Sequence, residues 1–124
     1  MNLEFVLDIV PIPKGRPRLG RFSTYTPERT REYENALKRE FNKYAPKIIF
    51  ETPLRLYVEF VLIRPKKPKF LKWPGVKPDV DNFLKAVLDA GNDILWVDDS
   101  LICDIRVIKT YGIKSGIIVK VEEI

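Results

Sequence analysis

Hydrophobic and polar residues alternate near the start of the chain. Leu3, Phe5, Leu7 and Ile9 fall on one face, the period of a half-buried strand over about residues 3–10. The stretch that follows, PIPKGRPRLGRFSTYTPE, is rich in Pro, Gly and Arg and reads as loop. Thr26 and Pro27 then supply an N-cap and a first helical position. Tyr33, Leu37, Phe41 and Tyr44 recur at helical spacing until Pro46, so a helix burying those four is predicted to about Tyr44. Leu54, Leu56, Val58, Phe60 and Leu62 restore the alternation and predict a longer strand, whose other face carries Tyr57, Val61 and Ile63. Beyond the basic run RPKKPKFLKWPGVKP, Asp79 can cap a second helix over about 80–90. Phe83, Leu84, Val87 and Leu88 form its core stripe, and Gly91 and Asn92 stop it. Residues 102–111 and 117–121 read as strands joined by the turn GIKSG. The order β-α-β-α-β-β predicts one α+β domain over 1–124, a small mixed sheet with two helices packed on it.

Composition agrees with a folded domain that has one core. The 124 residues are 45% hydrophobic and 31% charged, which excludes a disordered tail. No apolar run is long enough to span a bilayer, and the first residues lack a signal peptide's basic start and cleavage site, so a cytoplasmic protein without a membrane partner is expected. A net charge of +5 favours a polyanionic partner. The single cysteine, Cys103, excludes an internal disulfide and a thiolate metal cluster, and is expected to be a small apolar filler in a strand.

Against this basic background, residues 77–104 hold seven carboxylates around Lys85. Such a knot of like charges points to a bound cation. With no histidine in the chain its ligands would be oxygens, which favours Mg²⁺, with Mn²⁺ as a substitute, over zinc. Asp79 and Asp81 flank the helix start, where the dipole favours negative charge, and Asp98 and Asp99 follow the helix. Asp81, Lys85 and Asp89 are spaced to share a helix face, so a solvent-facing ion-pair ladder is the plain alternative. Hydrolysis of a phosphodiester needs a metal to polarise the phosphate and activate water, carboxylates to hold it, and gains from a lysine near the developing charge. Asp79, Asp81 and Asp99 meet the first requirement and Lys85 the second.

Two basic loops flank this knot. Lys14, Arg16, Arg18 and Arg21 supply the first, and Lys66, Lys67, Lys69, Lys72 and Lys77 the second; both are candidates for phosphate binding. Phe70 and Trp73 interrupt the second loop, and either stack on unpaired bases or tuck beneath the loop or against a partner subunit.

The string PDVDNFLKAVLDA followed by LWVDDSLI, with PKGRPRLGRFSTYTPERTREYE upstream, resembles the RusA-type Holliday-junction resolvases, small DNA endonucleases of bacteria and their phages. The resemblance implies that Asp79, Asp81 and Asp99 are catalytic and metal-holding, that Lys85 is the catalytic lysine, and that Asp98 and Asn82 support them. It also makes Lys109 a DNA-contact candidate. The chain departs from the family pattern at Leu101, where many members have Gln, and at Gly91-Asn92-Asp93, where many have Leu-Asn-Gly.

The function expected is therefore a Mg²⁺-dependent endonuclease that resolves Holliday junctions by paired symmetric nicks in recombination and repair. A homodimer would supply two sites to match a twofold substrate. Two alternatives are a non-catalytic nucleic-acid-binding module whose acids only cap and pair, and a structural dimer whose acids meet the partner's basic loops.

Overall fold

The computed structural model describes residues 2–14, 18, 19, 24, 25 and 28–124, with backbone alone at 18, 19, 24 and 25. Arg16, Arg21, Thr26 and Pro27 lie outside the described residues, as does the side chain of Arg18. The elements are β1 (Asn2–Leu7), β2 (Arg18–Leu19), β3 (Thr24–Tyr25), α1 (Glu28–Tyr44), β4 (Leu54–Ile63), α2 (Val80–Gly91), a 3-10 turn (Asp99–Leu101), β5 (Ile102–Gly112) and β6 (Gly116–Glu123). The stretch read as loop thus contains a two-residue hairpin, with Arg18 opposite Tyr25 and Leu19 opposite Thr24. Ladders this short leave no alternation for a sequence pattern to show.

The α+β expectation holds: a four-stranded mixed sheet in the order β1-β6-β4-β5, with two helices. β4 and β5 run parallel, as a strand pair joined through a crossover helix must, and β6 lies antiparallel to both β1 and β4. The turn between β5 and β6 would suggest a hairpin, but the two strands are not neighbours. The chain crosses the end of β4 in three residues, 113–115, a step of two strand spacings or roughly 10 Å. The crossing is tight: a Cβ on Gly112 would stand 2.5 Å from the Val61 side chain, and one on Gly116 2.9 Å from the Leu7 carbonyl.

One face of the sheet forms the core with the helices. Phe5 and Leu7, then Leu54, Leu56, Val58 and Phe60, then Ile117, Val119 and Val121 are buried, each set at strand period. Against them lie Tyr33, Leu37 and Phe41 of α1 and Phe83, Ala86, Val87 and Ala90 of α2. Phe60 stacks on Phe83 with centroids 5.1 Å apart, which seats α2 over the centre of β4.

Two details differ from the expected stripes. Tyr44 is 40% exposed, because it ends α1 and lies flat on Phe5 at 4.8 Å rather than under the helix. Leu84 and Leu88 only flank the core of α2, while the small Ala86 and Ala90 face it and let the helix approach closely. Gly91 ends α2 beneath Trp96, which is fully buried; a Cβ there would lie 2.4 Å from the indole. The indole N–H donates to Asn92 Oδ1 at 3.0 Å, which closes the turn back toward β5. Cys103 lies in β5 as expected, but exposed rather than packed, because β5 is a sheet edge.

The opposite sheet face is uncovered in the monomer and carries a charged lattice. Arg55 donates to both Asp104 and Glu122 at 2.7 Å, and Glu59 accepts from the Tyr57 and Thr110 hydroxyls.

Candidate active site

The acidic site is built at the head of α2. Asp79 is the N-cap residue, extended at φ −68° and ψ 148°, and its carbonyl accepts from Asn82 N at 3.1 Å and Phe83 N at 3.3 Å. Its carboxylate makes no capping hydrogen bond. The side chain that sequence reading could explain as a mere cap is therefore not engaged as one. Asp81 follows in the first turn and Lys85 one turn later, both exposed. The positive end of the helix dipole favours both acids at this position.

The ion-pair ladder along α2 does not form. Asp89 turns instead to Lys14, which also pairs with Glu34 of α1 at 3.2 Å. Among the described residues, none of the ion pairs involves Asp79, Asp81, Lys85 or Asp99. Lys14 was expected on DNA, but its ammonium is held between two helices and its backbone N–H donates to the Asn82 carbonyl at 2.9 Å. Burial alone would lower the Lys14 pKa, yet the hydrogen bonds to Asp89 and Glu34 outweigh it and hold the ammonium above its ordinary value. Asn82, named as a supporting residue, enters this arrangement through its backbone.

The Asp98-Asp99 pair divides into two roles. Asp98 caps the 3-10 turn, its Oδ2 accepting from Ser100 N at 3.0 Å, and hydrogen bonding from Ser100 holds its carboxyl below the usual range. Asp99, the first residue of the turn, is half-buried and not engaged in that cap. The turn touches α2, so Asp99 belongs to an element packed against the helix that carries Asp79 and Asp81. Among the described residues, however, no three acidic or thiol side chains are gathered closely enough to form a ready-made metal cage. What the three aspartates offer is an all-oxygen donor set, none of it engaged in capping or ion pairing, which suits a hard divalent cation.

The second basic loop is open to solvent. Lys66, Lys67, Lys69, Lys72 and Lys77 are exposed, as are Phe70 at 47% and Trp73 at 59%. Neither ring is buried beneath the loop. Lys69 Nζ lies 5.6 Å from the centroid of the Phe70 ring. Beside the loop, Ile63, Leu71, Lys72, Tyr111 and Ile113 line a hollow of about 550 Å³ with apolar walls and a basic rim.

One contact has no signal in the sequence. Lys109 of β5 donates to the Val76 carbonyl at 2.7 Å and the Pro78 carbonyl at 2.9 Å, both on the loop just before Asp79. Spacing could not reveal it, because both acceptors are backbone atoms some thirty positions away, 33 and 31 residues respectively.

Comparison with known proteins identifies the family of the chain. The family described as Endodeoxyribonuclease RusA matches residues 8–122. An uncharacterized protein of Bacillus subtilis (strain 168), YqaN, is 27% identical over 137 residues, covering 98% of this chain and 96% of its own. A protein of Lactococcus phage r1t described as a crossover junction endodeoxyribonuclease is 30% identical over 130 residues, covering 99% of this chain and 98% of its own.

Proposed function

The chain belongs to the RusA endodeoxyribonuclease family, and on that premise we propose that it resolves Holliday junctions by paired symmetric nicks, using Mg²⁺, in DNA recombination and repair. The observation that carries this reading is the extent of the family match. It takes in both basic loops, the head of α2 and the turn at 99, so every residue assigned below lies inside it.

Asp79, Asp81 and Asp99 hold the divalent cation, for which Mn²⁺ can substitute. When bound, that ion supplies Lewis acidity and an activated water. Asp98 keeps Asp99 in place by capping the turn that presents it. Lys85, exposed and free of carboxylate partners among the described residues, directs its charge at the phosphate as negative charge develops. Lys66, Lys67, Lys69, Lys72 and Lys77 hold the backbone of the DNA arms. Arg16, Arg18 and Arg21 extend this grip from the first loop, and Phe70 and Trp73 stack on bases unpaired at the crossover. The protein acts as a homodimer in the cytoplasm, each subunit cutting one of two symmetric strands.

A reading in which the acids only cap and pair accounts for Asp98 and Asp89 but not for Asp79, Asp81 and Asp99, whose carboxylates do neither among the described residues. The test is cleavage of a synthetic four-way junction with Mg²⁺ by the wild-type chain and by Asp81→Asn. Wild type is expected to cut at symmetric positions, whereas Asp81→Asn binds as well or better and does not cut. Tight binding of the junction by wild type without any incision would overturn the proposal.

A further inference from the structure

The chain's approach to Asp79 is tethered from the sheet. Lys109 pairs with Phe60 in the β4–β5 ladder, on the face that carries the helices. From there its ammonium holds the carbonyls of Val76 and Pro78, three residues and one residue before Asp79. Between loop and strand lies a hollow of about 260 Å³ lined by Trp73, Pro74, Val80 and Val107, so Lys109 makes a polar crossing beside a gap rather than part of a packed seam. An ammonium has three donors and no acceptor; two of the three are committed here, and charge assistance makes such bonds stronger than neutral ones. Asp79 has no tether of its own, since its carboxylate makes no capping bond.

We propose that Lys109 is a positioning residue of the active site. By fixing both carbonyls that precede the N-cap, it sets the direction in which the Asp79 carboxylate is presented to the cation. This role rests on the metal-site reading above. It differs from direct contact with DNA, for which Lys109 was a candidate, because a phosphate would have to share an ammonium already held by two backbone acceptors.

The test compares wild type, Lys109→Met and Asp79→Asn, each without DNA, by the rise in thermal midpoint on titration with Mn²⁺. Junction affinity in EDTA and the Mg²⁺ dependence of cleavage are measured in parallel. Lys109→Met is expected to need about tenfold more metal for the same rise and the same cleavage, the usual effect of losing a group that orients a ligand. Its junction affinity in EDTA should be unchanged. Equal metal requirements in Lys109→Met and wild type would overturn the proposal, as would a loss of junction affinity with the metal requirement intact, which would place Lys109 on the DNA. Should Lys109→Met not fold, Lys109→Gln, which keeps an N–H donor on a shorter reach, takes its place under the same two criteria. A wild-type chain that shows no metal-linked rise refutes the metal site itself, an outcome distinct from a wild type that responds and a Lys109→Met that responds identically.

Discussion

Two lysines beside α2 have opposite surroundings and therefore opposite uses. Lys14 is enclosed by Asp89 and Glu34, whereas Lys85 is exposed with no carboxylate partner among the described residues. A cation without a local counter-ion keeps its field for an approaching phosphate, so Lys85→Met is expected to lower the single-turnover cleavage rate about 10²- to 10³-fold. Junction affinity in a mobility-shift assay should change little; a comparable loss in affinity would make Lys85 a simple phosphate contact. The nearness of Lys85 to Asp81 is legible in the sequence because the two are one helical turn apart. The engagement of Lys14 is not, because its partner Asp89 is 75 residues away. Tyr33 couples the core to pH in a different way. Burial pushes its hydroxyl from the ordinary 10.0 up to about 12, and the nearby Ile12 backbone, short of full hydrogen-bonding geometry, opposes this only partly. Below pH 10 the phenol is neutral in both folded and unfolded chains and carries no penalty. As pH rises from 10 toward 12 the unfolded chain ionises first, so the fold loses roughly 2 to 3 kcal/mol. Tyr33→Phe should flatten that alkaline limb in urea unfolding curves recorded from pH 8 to 12, and an unchanged limb would contradict the assignment.

At the scale of elements, the same Lys14 is the device that fixes α1 and α2 to each other and to the chain leaving β1. One side chain bridges Glu34 and Asp89, and its backbone N–H reaches the second helix again at Asn82. Removing the ammonium leaves two partly buried carboxylates facing a gap, so Lys14→Met is expected to cost about 2 kcal/mol in urea unfolding. The clamp's raised pKa means that its contribution is complete at neutral pH and is lost only as pH climbs beyond 10.5. If Lys14 instead served only DNA, the variant would unfold like wild type and bind junctions less well. The elements themselves were legible wherever one face is buried: β1, β4, α1 and α2 each leave a clean period in the positions of their apolar residues. The sheet order was not. β5 and β6 look like a hairpin because three residues join them, yet the central place beside β4 goes to β6. Its Ile117, Val119 and Val121 are buried, whereas β5 keeps Ile105 exposed at the edge. Strand neighbours follow from which apolar face is needed at the centre, a non-local choice that loop length does not encode. The acids at the head of α2 were legible for the opposite reason, because Asp79 and Asp81 are neighbours in sequence, whereas the sequence could not show that the turn bearing Asp99 packs against that helix.

For the molecule as a whole, the net charge of +5 matters less than its distribution. On the uncovered sheet face, charges cancel locally in the Arg55–Asp104–Glu122 and Lys120–Glu4 pairs. The lysines of the 66–77 loop have no such partners among the described residues, so they add an outward positive field beside the head of α2. Long-range attraction of this kind weakens with salt through release of counter-ions, and a grip of several phosphates should lose orders of magnitude in affinity between about 50 and 200 mM salt. Binding, however, needs no symmetry, whereas resolution does: a single acidic site serves one strand, and both nicks must fall at equivalent positions before the junction reopens. A twofold pair of subunits meets that requirement. Dimers carrying one wild-type chain and one Asp81→Asn chain, purified through two different tags, separate the two demands. On a supercoiled plasmid with an extruded cruciform they should yield nicked circles, while wild-type dimers yield linear product. Linear product from the mixed dimers at the wild-type rate would mean that one subunit performs both incisions, and the pairing of sites would have to be abandoned even with the chemistry of each site intact.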